Sequence, residues 1–169
     1  MSSAAQSSVR HWLRWILASA SVRVVSYDVL LVGCVYEKLD HPAAARDLYV
    51  AERFQLARRF AERHSSPWFI LSGEHALVRP LDWLAPYDTY LNDMPSAYRS
   101  AWGAWVAAKL TQDRGSLDGL VIEVHAPESY VEPIAGPLQA AGAILRLPLE
   151  GVAWDAWPNW YRRVLAAGG

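Results

Sequence analysis

Cysteine is nearly missing from this chain. Cys34 is the only one in 169 residues. No disulfide can form within the chain, which fits a reducing, cytoplasmic setting. Lysine is almost as scarce, with Lys38 and Lys109 standing against fourteen arginines. Excess charge of either sign is also lacking. A net charge of −1 excludes a strongly electrostatic, sequence-blind nucleic-acid binder, which relies on a basic surplus. Long hydrophobic runs are absent as well. Residues 12–20, "WLRWILASA", are interrupted by Arg14 and too short to cross a bilayer, so no membrane partner is expected. Neither a phosphate-binding G-x-x-x-x-G-K nor a G-x-G-x-x-G nor a G-x-S-x-G elbow occurs. His41, His75, His125 and Cys34 lack the regular spacing of a zinc motif. No metal and no cofactor are therefore expected.

What is present describes a globular domain. Hydrophobic residues make up 53% and charged residues 20%, and the length suits one domain with a real core. Nine tryptophans are a heavy aromatic load, most of it destined for packing and some for a pocket wall. Charge is uneven: residues 1–63 hold nine basic against six acidic side chains (+3), and residues 64–169 hold seven against eleven (−4).

Residues 1–20 read as an amino-terminal extension with a short helix over 9–20, and residues 21–169 as a single α/β domain. Residues 22–26 read as an extended segment. "DVLLVGC", residues 28–34, is a continuous apolar run of the kind that fills a strand buried on both faces. A loop over 35–48 follows, then a helix over 50–63 with Phe54, Ala57, Phe60 and Ala61 on its inner stripe. A second strand spans 67–72, and 73–94 reads as irregular. A helix runs from about 95 to 110 with Trp102, Trp105 and Val106 inward. A third strand covers 119–125, a helix 130–141 ends at Gly142, and "AILRLPL" is a fourth strand. The terminal helix, 154–167, is broken or started by Pro158. Strands alternating with helices predict a three-layer domain with a mostly parallel sheet of four to five strands flanked by helices. Ligands in such sheets sit at the carboxyl ends of strands.

Two clusters fall at that edge. "GCVYEKLDHPAAARDLY" places Gly33 at a turn, Cys34 at a strand end, and Lys38, Arg46 and Asp47 beyond it. Where arginine is the default cation, a lysine at a loop start invites a specific use. The plainer reading is a solvated loop. "LSGEHALVRPLDWLAPYD", residues 71–88, sets Glu74 and His75 on a strand break and returns through Tyr87 and Asp88. Histidine is the side chain best suited to acid–base work, so His75 is the acid–base candidate, with Glu74 or Asp88 orienting it. The plainer reading is a hydrogen-bonded structural histidine. Cys34 is either a nucleophile activated by Lys38 or His75, or an inert buried thiol. His125, with Glu128 behind it, ends the third strand and ranks below His75.

The segments "LVGCVYEKLDHPAAARDLY" and "WFILSGEHALVRPLDWLAPYDTYL" resemble paired motifs of a family of uncharacterised bacterial and phage proteins, a domain of unknown function. The second also resembles the peroxide-stress protein YaaA family in "ILSG…LVRPLD…PY". The resemblance covers about residues 29–92. It implies a compact α/β domain in which the Cys–Lys loop and the Ser–Gly loop lie side by side. Cys34 and Lys38 match a C-x-x-x-K pattern. Ser72 and His75 match "LSAKHGL", with Glu74 where a lysine is usual and Ala76 where a glycine is usual. A tRNA-deazaguanine enzyme domain is similar in its "PCS…K" motif. By analogy, the resemblance implies a nucleobase or nucleotide theme.

The leading expectation is an enzyme acting on a nucleoside, nucleotide or nucleobase-like small molecule, by glycosidic cleavage or transfer. Lys38, Arg46 and Asp47 would bind polar groups, Tyr36, Tyr49 or Tyr87 would stack, Ser72 would line the site, and His75, Glu74 and Asp88 would do the proton work. One alternative uses Cys34 as nucleophile in a tailoring step. Another is a non-catalytic DNA- or protein-binding module with Arg53, Arg58, Arg59 and Arg63 as its surface. A homodimer burying Trp12, Trp15, Trp157 or Trp160 is a third.

Overall fold

A computed structural model describes residues 26–167. The helix expected over 9–20, with Trp12 and Trp15, lies outside the described residues, as does all of the 22–26 segment except Ser26. In chain order the elements are β1 (Val29–Gly33), β2 (Ala43–Ala44), α1 (Ala45–Leu48), α2 (Glu52–Arg63), β3 (Trp68–Ser72), β4 (Ala76–Val78) and β5 (Trp83–Leu84). A 3₁₀ turn at Leu91–Asp93 precedes α3 (Ser96–Arg114), β6 (Val121–His125), α4 (Glu128–Ala140) and β7 (Ile144–Arg146). A second 3₁₀ turn, Trp154–Ala156, leads into α5 (Trp157–Ala167).

The main sheet has five strands in the order β4-β3-β1-β6-β7. It is parallel except for the β3–β4 pair. β1 is central because its run of Val29, Leu30, Leu31 and Val32 offers no polar face to water. Alternate residues serve opposite cores, as the strand period of two dictates. Leu30 and Val32 pack with Phe54, Ala57 and Phe60 of α2 and with Trp157 and Tyr161 of α5. Val29 and Leu31 pack with Trp102 and Val106 of α3 and with Tyr130 and Ile134 of α4. The result is the three-layer α/β domain expected from the alternating pattern.

Several local readings change. Trp105 is 47% exposed rather than inward, while Trp102 and Val106 are buried. The stretch 73–94 is not wholly irregular, since β4, β5 and a 3₁₀ turn lie within it. Residues 43–48 of the expected loop form β2 and α1. The strand expected over 143–149 stops at Arg146, two residues short of Pro148, which has no N–H for a ladder. Gly33 is not a turn glycine, since the left-handed glycines are Gly115, Gly119, Gly142 and Gly151. Its value is space, because a methyl group there would stand 3.1 Å from the Ala126 Cβ. Pro158 falls in the first turn of α5, where a missing N–H costs nothing. No helix among the described residues is long and apolar enough to cross a membrane.

Candidate functional site

Because β1, β3 and β6 run parallel, their ends Gly33, Ser72 and His125 share one edge of the sheet. The chain moves from β1 to β3 on one side, then returns to β6 on the other. The point between β1 and β6 is therefore where strand order reverses, the place such sheets use for ligands.

A tyrosine from the returning loop organises the edge. Tyr87 is buried, and its hydroxyl accepts from the Ser72 hydroxyl at 2.7 Å and shares a 2.7 Å hydrogen bond with the Tyr49 hydroxyl. The Ser72 hydroxyl in turn accepts from the His75 backbone N–H at 3.0 Å, which closes the turn after β3. Ser72 thus ties strand end, turn and returning loop together.

Lys38 and His75 flank this ring. Lys38 Nζ stands 4.5 Å from the Tyr87 ring centroid, 5.7 Å from that of Tyr49 and 5.6 Å from that of Tyr36. It donates to the Tyr36 carbonyl at 3.1 Å, and no carboxylate among the described residues pairs with it. Its backbone is fixed by the Lys38–Tyr49 bridge, with Leu39 N–H donating to Leu48 and Val50 N–H to Glu37. The His75 ring meets Tyr87 edge-on with centroids 5.2 Å apart. Its Nε2 is 3.8 Å from Glu74 Oε1, and Thr89 Oγ1 holds the other Glu74 oxygen at 2.8 Å. The side chains of His75 and Glu74 are 34% and 41% exposed.

Cys34 is half-buried between the two cores, with Sγ 3.4 Å from the Tyr130 hydroxyl and its N–H bonded to the Leu71 carbonyl. Burial first, and then the nearby Cys34 thiol, pushes the phenols of Tyr49, Tyr87 and Tyr130 up, so they remain protonated hydrogen-bonding groups.

Not every expected residue arrives. Arg46 and Asp47 stand at the other end of β3: Asp47 accepts from Arg58 at 2.6 Å, and Arg46 lines a hollow with Pro67 and Trp68. The short helix α1 turns them away from Lys38. Asp88 is exposed and makes no hydrogen bond to His75. Tyr36 lies beside Lys38 with its ring 67% exposed, whereas Tyr49 and Tyr87, also expected to stack on a ligand, are buried. His125 points into the core rather than the edge, bonded to Tyr161 at 2.8 Å and Glu123 at 2.9 Å. Tyr130 and Thr89 belong to the site and were not singled out from sequence. Tyr130 could have been reached by noting that α4 opens directly after the end of β6.

The arginines of α2 are largely engaged. Arg58 pairs with Asp47 and Glu62, Arg53 stacks 3.7 Å from the Trp154 ring centroid, and Arg63 donates to the Leu165 carbonyl. Arg59 is left exposed. Trp157 and Trp160 are spent on their own chain: Trp157 donates to Val152, and Trp160 packs on Phe60, His125 and Tyr161. Among the described residues, no three His, Cys, Asp or Glu side chains gather as a metal would need.

No curated protein matches the chain. A family of unknown function, DUF6884, matches it over residues 29–163, so both the sheet and the edge described above fall within the match, and the chain belongs to that family.

Proposed function

We propose that this edge binds and transforms a small, planar, polar molecule of the nucleoside, nucleotide or nucleobase class. The observation behind the reading is that Lys38 and His75, 37 positions apart, flank the same Tyr87 ring. Lys38 supplies a cation not neutralised by a carboxylate, suited to a phosphate or carbonyl oxygen. The exposed Tyr36 ring beside Lys38 supplies stacking surface. The likeness of "ILSG…LVRPLD…PY" to the peroxide-stress YaaA family supports the nucleobase theme.

Glycosidic cleavage or transfer fits the pair Glu74 and His75. His75 as imidazolium gives its proton to the departing base as the glycosidic bond breaks, Glu74 steadies the positive charge developing on the sugar, and water or an acceptor hydroxyl adds at the anomeric carbon while passing its proton to the now neutral imidazole. A thiol route through Cys34 is the second reading, favoured by the residue being only half-buried. The engaged state of Arg53, Arg58 and Arg63 speaks against a DNA-binding surface on α2.

Thermal-shift titration with nucleosides, nucleotides and free bases tests binding. A ligand at about a hundred times its dissociation constant adds about 2.7 kcal/mol to the folded state, a shift easily read. Turnover of that ligand should fall by about 10²–10⁴-fold in His75→Ala. Lys38→Ala should raise KM more than it lowers kcat. Cys34→Ser should retain activity on the glycosidic route and lose it on the thiol route. Full activity in His75→Ala sinks the acid–base assignment.

A further inference from the structure

We propose a second binding site, one strand over from Tyr87, that takes an organic cation with an apolar body. A hollow of about 530 Å³ opens beside the carboxyl end of β6, between α4 and the loop joining β7 to α5. That volume matches an ordinary small-molecule pocket. Its floor is apolar, made by Val124, Leu149 and Val152. Trp154 and Trp157 form one wall, their rings 4.5 Å apart. Glu128 and Glu132, one turn apart on α4, and Glu150 from the loop stand at the mouth.

Charge selects the ligand. None of these three carboxylates has an ion-pair partner among the described residues. An anion brought to the start of α4 would meet Glu128 at once, so the attraction of a helix amino terminus for phosphate is cancelled there. A bare metal ion is also a poor fit, since the floor offers no oxygen ligands. An ammonium or guanidinium group facing the carboxylates, with its hydrocarbon or aromatic part against the tryptophans, satisfies both halves of the hollow. Trp154 already accepts one cation, the Arg53 guanidinium, 3.7 Å from its ring centroid.

The site is separate from the Tyr87 edge. The end of β1 closes on the β6–α4 loop so tightly that a methyl group at Gly33 would lie 3.1 Å from the Ala126 Cβ and 3.4 Å from Pro127 Cδ. The proposal therefore stands or falls without reference to Lys38 and His75.

Benzylamine, benzyl alcohol and benzoate share one apolar body and differ in charge, so they form the test series. Binding to the full chain is followed by NMR of the Trp154 and Trp157 indole N–H signals. Benzylamine should bind about tenfold tighter than the alcohol, and benzoate weakest. The variant Glu128→Gln/Glu132→Gln/Glu150→Gln, altered only at exposed side chains, should erase that preference. Glu62→Gln, on α2, should leave it intact. Equal affinity for amine and alcohol, an unchanged preference in the triple variant, or no perturbation of either indole by benzylamine overturns the proposal.

Discussion

At the scale of single residues, the turn after β3 shows a cost and its cause. Ala76 has φ 61°, the one non-glycine residue in the left-handed region among those described. That conformation costs an L-residue about 1–2 kcal/mol. The pattern "LSAKHGL", which this segment resembles, carries glycine at this place, and the backbone gives a physical reason for it. Against the relief stands the loss of a fully buried methyl group, worth about 0.8 kcal/mol. Ala76→Gly should therefore be neutral to about 1 kcal/mol more stable in urea unfolding, where a glycine within an ordinary strand would cost about 0.5–1 kcal/mol. A clear loss of stability would mean that the methyl contact outweighs the strain. The reverse holds at Gly73, where the motif has alanine. A methyl group there would stand 2.8 Å from the Thr89 carbonyl oxygen, so this chain needs glycine to let the Thr89–Leu91 segment close over the turn. Glu74 and His75 could be read as edge residues because they follow an apolar run that breaks at Ser72–Gly73. The inward path of the Ser72 hydroxyl could not, since it depends on Tyr87, fifteen residues on.

At the scale of elements, long signals were legible and short ones were not. The helix expected over 50–63 is α2 at Glu52–Arg63, and each of its four inward residues is buried. The strand runs 28–34, 67–72 and 119–125 all contain their observed strands. β4 escaped because its three residues, Ala76, Leu77 and Val78, are all buried and give no alternation. The β2–β5 ladder pairs only Ala43 with Leu84 and Ala44 with Trp83, too short for any period. Arg46 and Asp47 were misplaced with it, because α1 redirects the chain between Lys38 and α2. One close approach between elements makes a sharp prediction. Gly103 lies on the buried side of α3, and a methyl group there would overlap the Pro133 carbonyl of α4. In an exposed helix Gly→Ala gains about 1 kcal/mol. Here Gly103→Ala should instead destabilise by about 1–3 kcal/mol, read from the urea midpoint, because backbone cannot yield as a flexible side chain would. A stabilised Gly103→Ala protein would show that α3 and α4 are not packed this closely.

At the scale of the whole molecule, one buried polar chain links the layers and ties stability to pH. His125 on β6 bonds Tyr161 of α5 through Nδ1 and Glu123 through Nε2, and Arg146 of β7 reaches Glu123 at 3.3 Å. Phe60 of α2 and Trp160 of α5 close over the ring, with His64 and Arg146 the nearby basic groups. Burial pulls the His125 pKa below its ordinary 6.5; Glu123 opposes this, and His64 and Arg146 add to it. The unfolded chain therefore binds the His125 proton more readily than the folded one. This contribution to stability is fully present above about pH 6.5 and is lost as pH falls toward the folded value. The thermal midpoint should accordingly drop between pH 7.5 and pH 5. His125→Gln should be less stable than the parent at pH 7.5, since a buried partner of Tyr161 and Glu123 is disturbed. The gap between the two should narrow as the medium is acidified, because the variant has no imidazole to protonate. Midpoint curves that stay parallel across this range would show that His125 carries no linked proton. It would then join α5 to the sheet through packing and neutral hydrogen bonds alone.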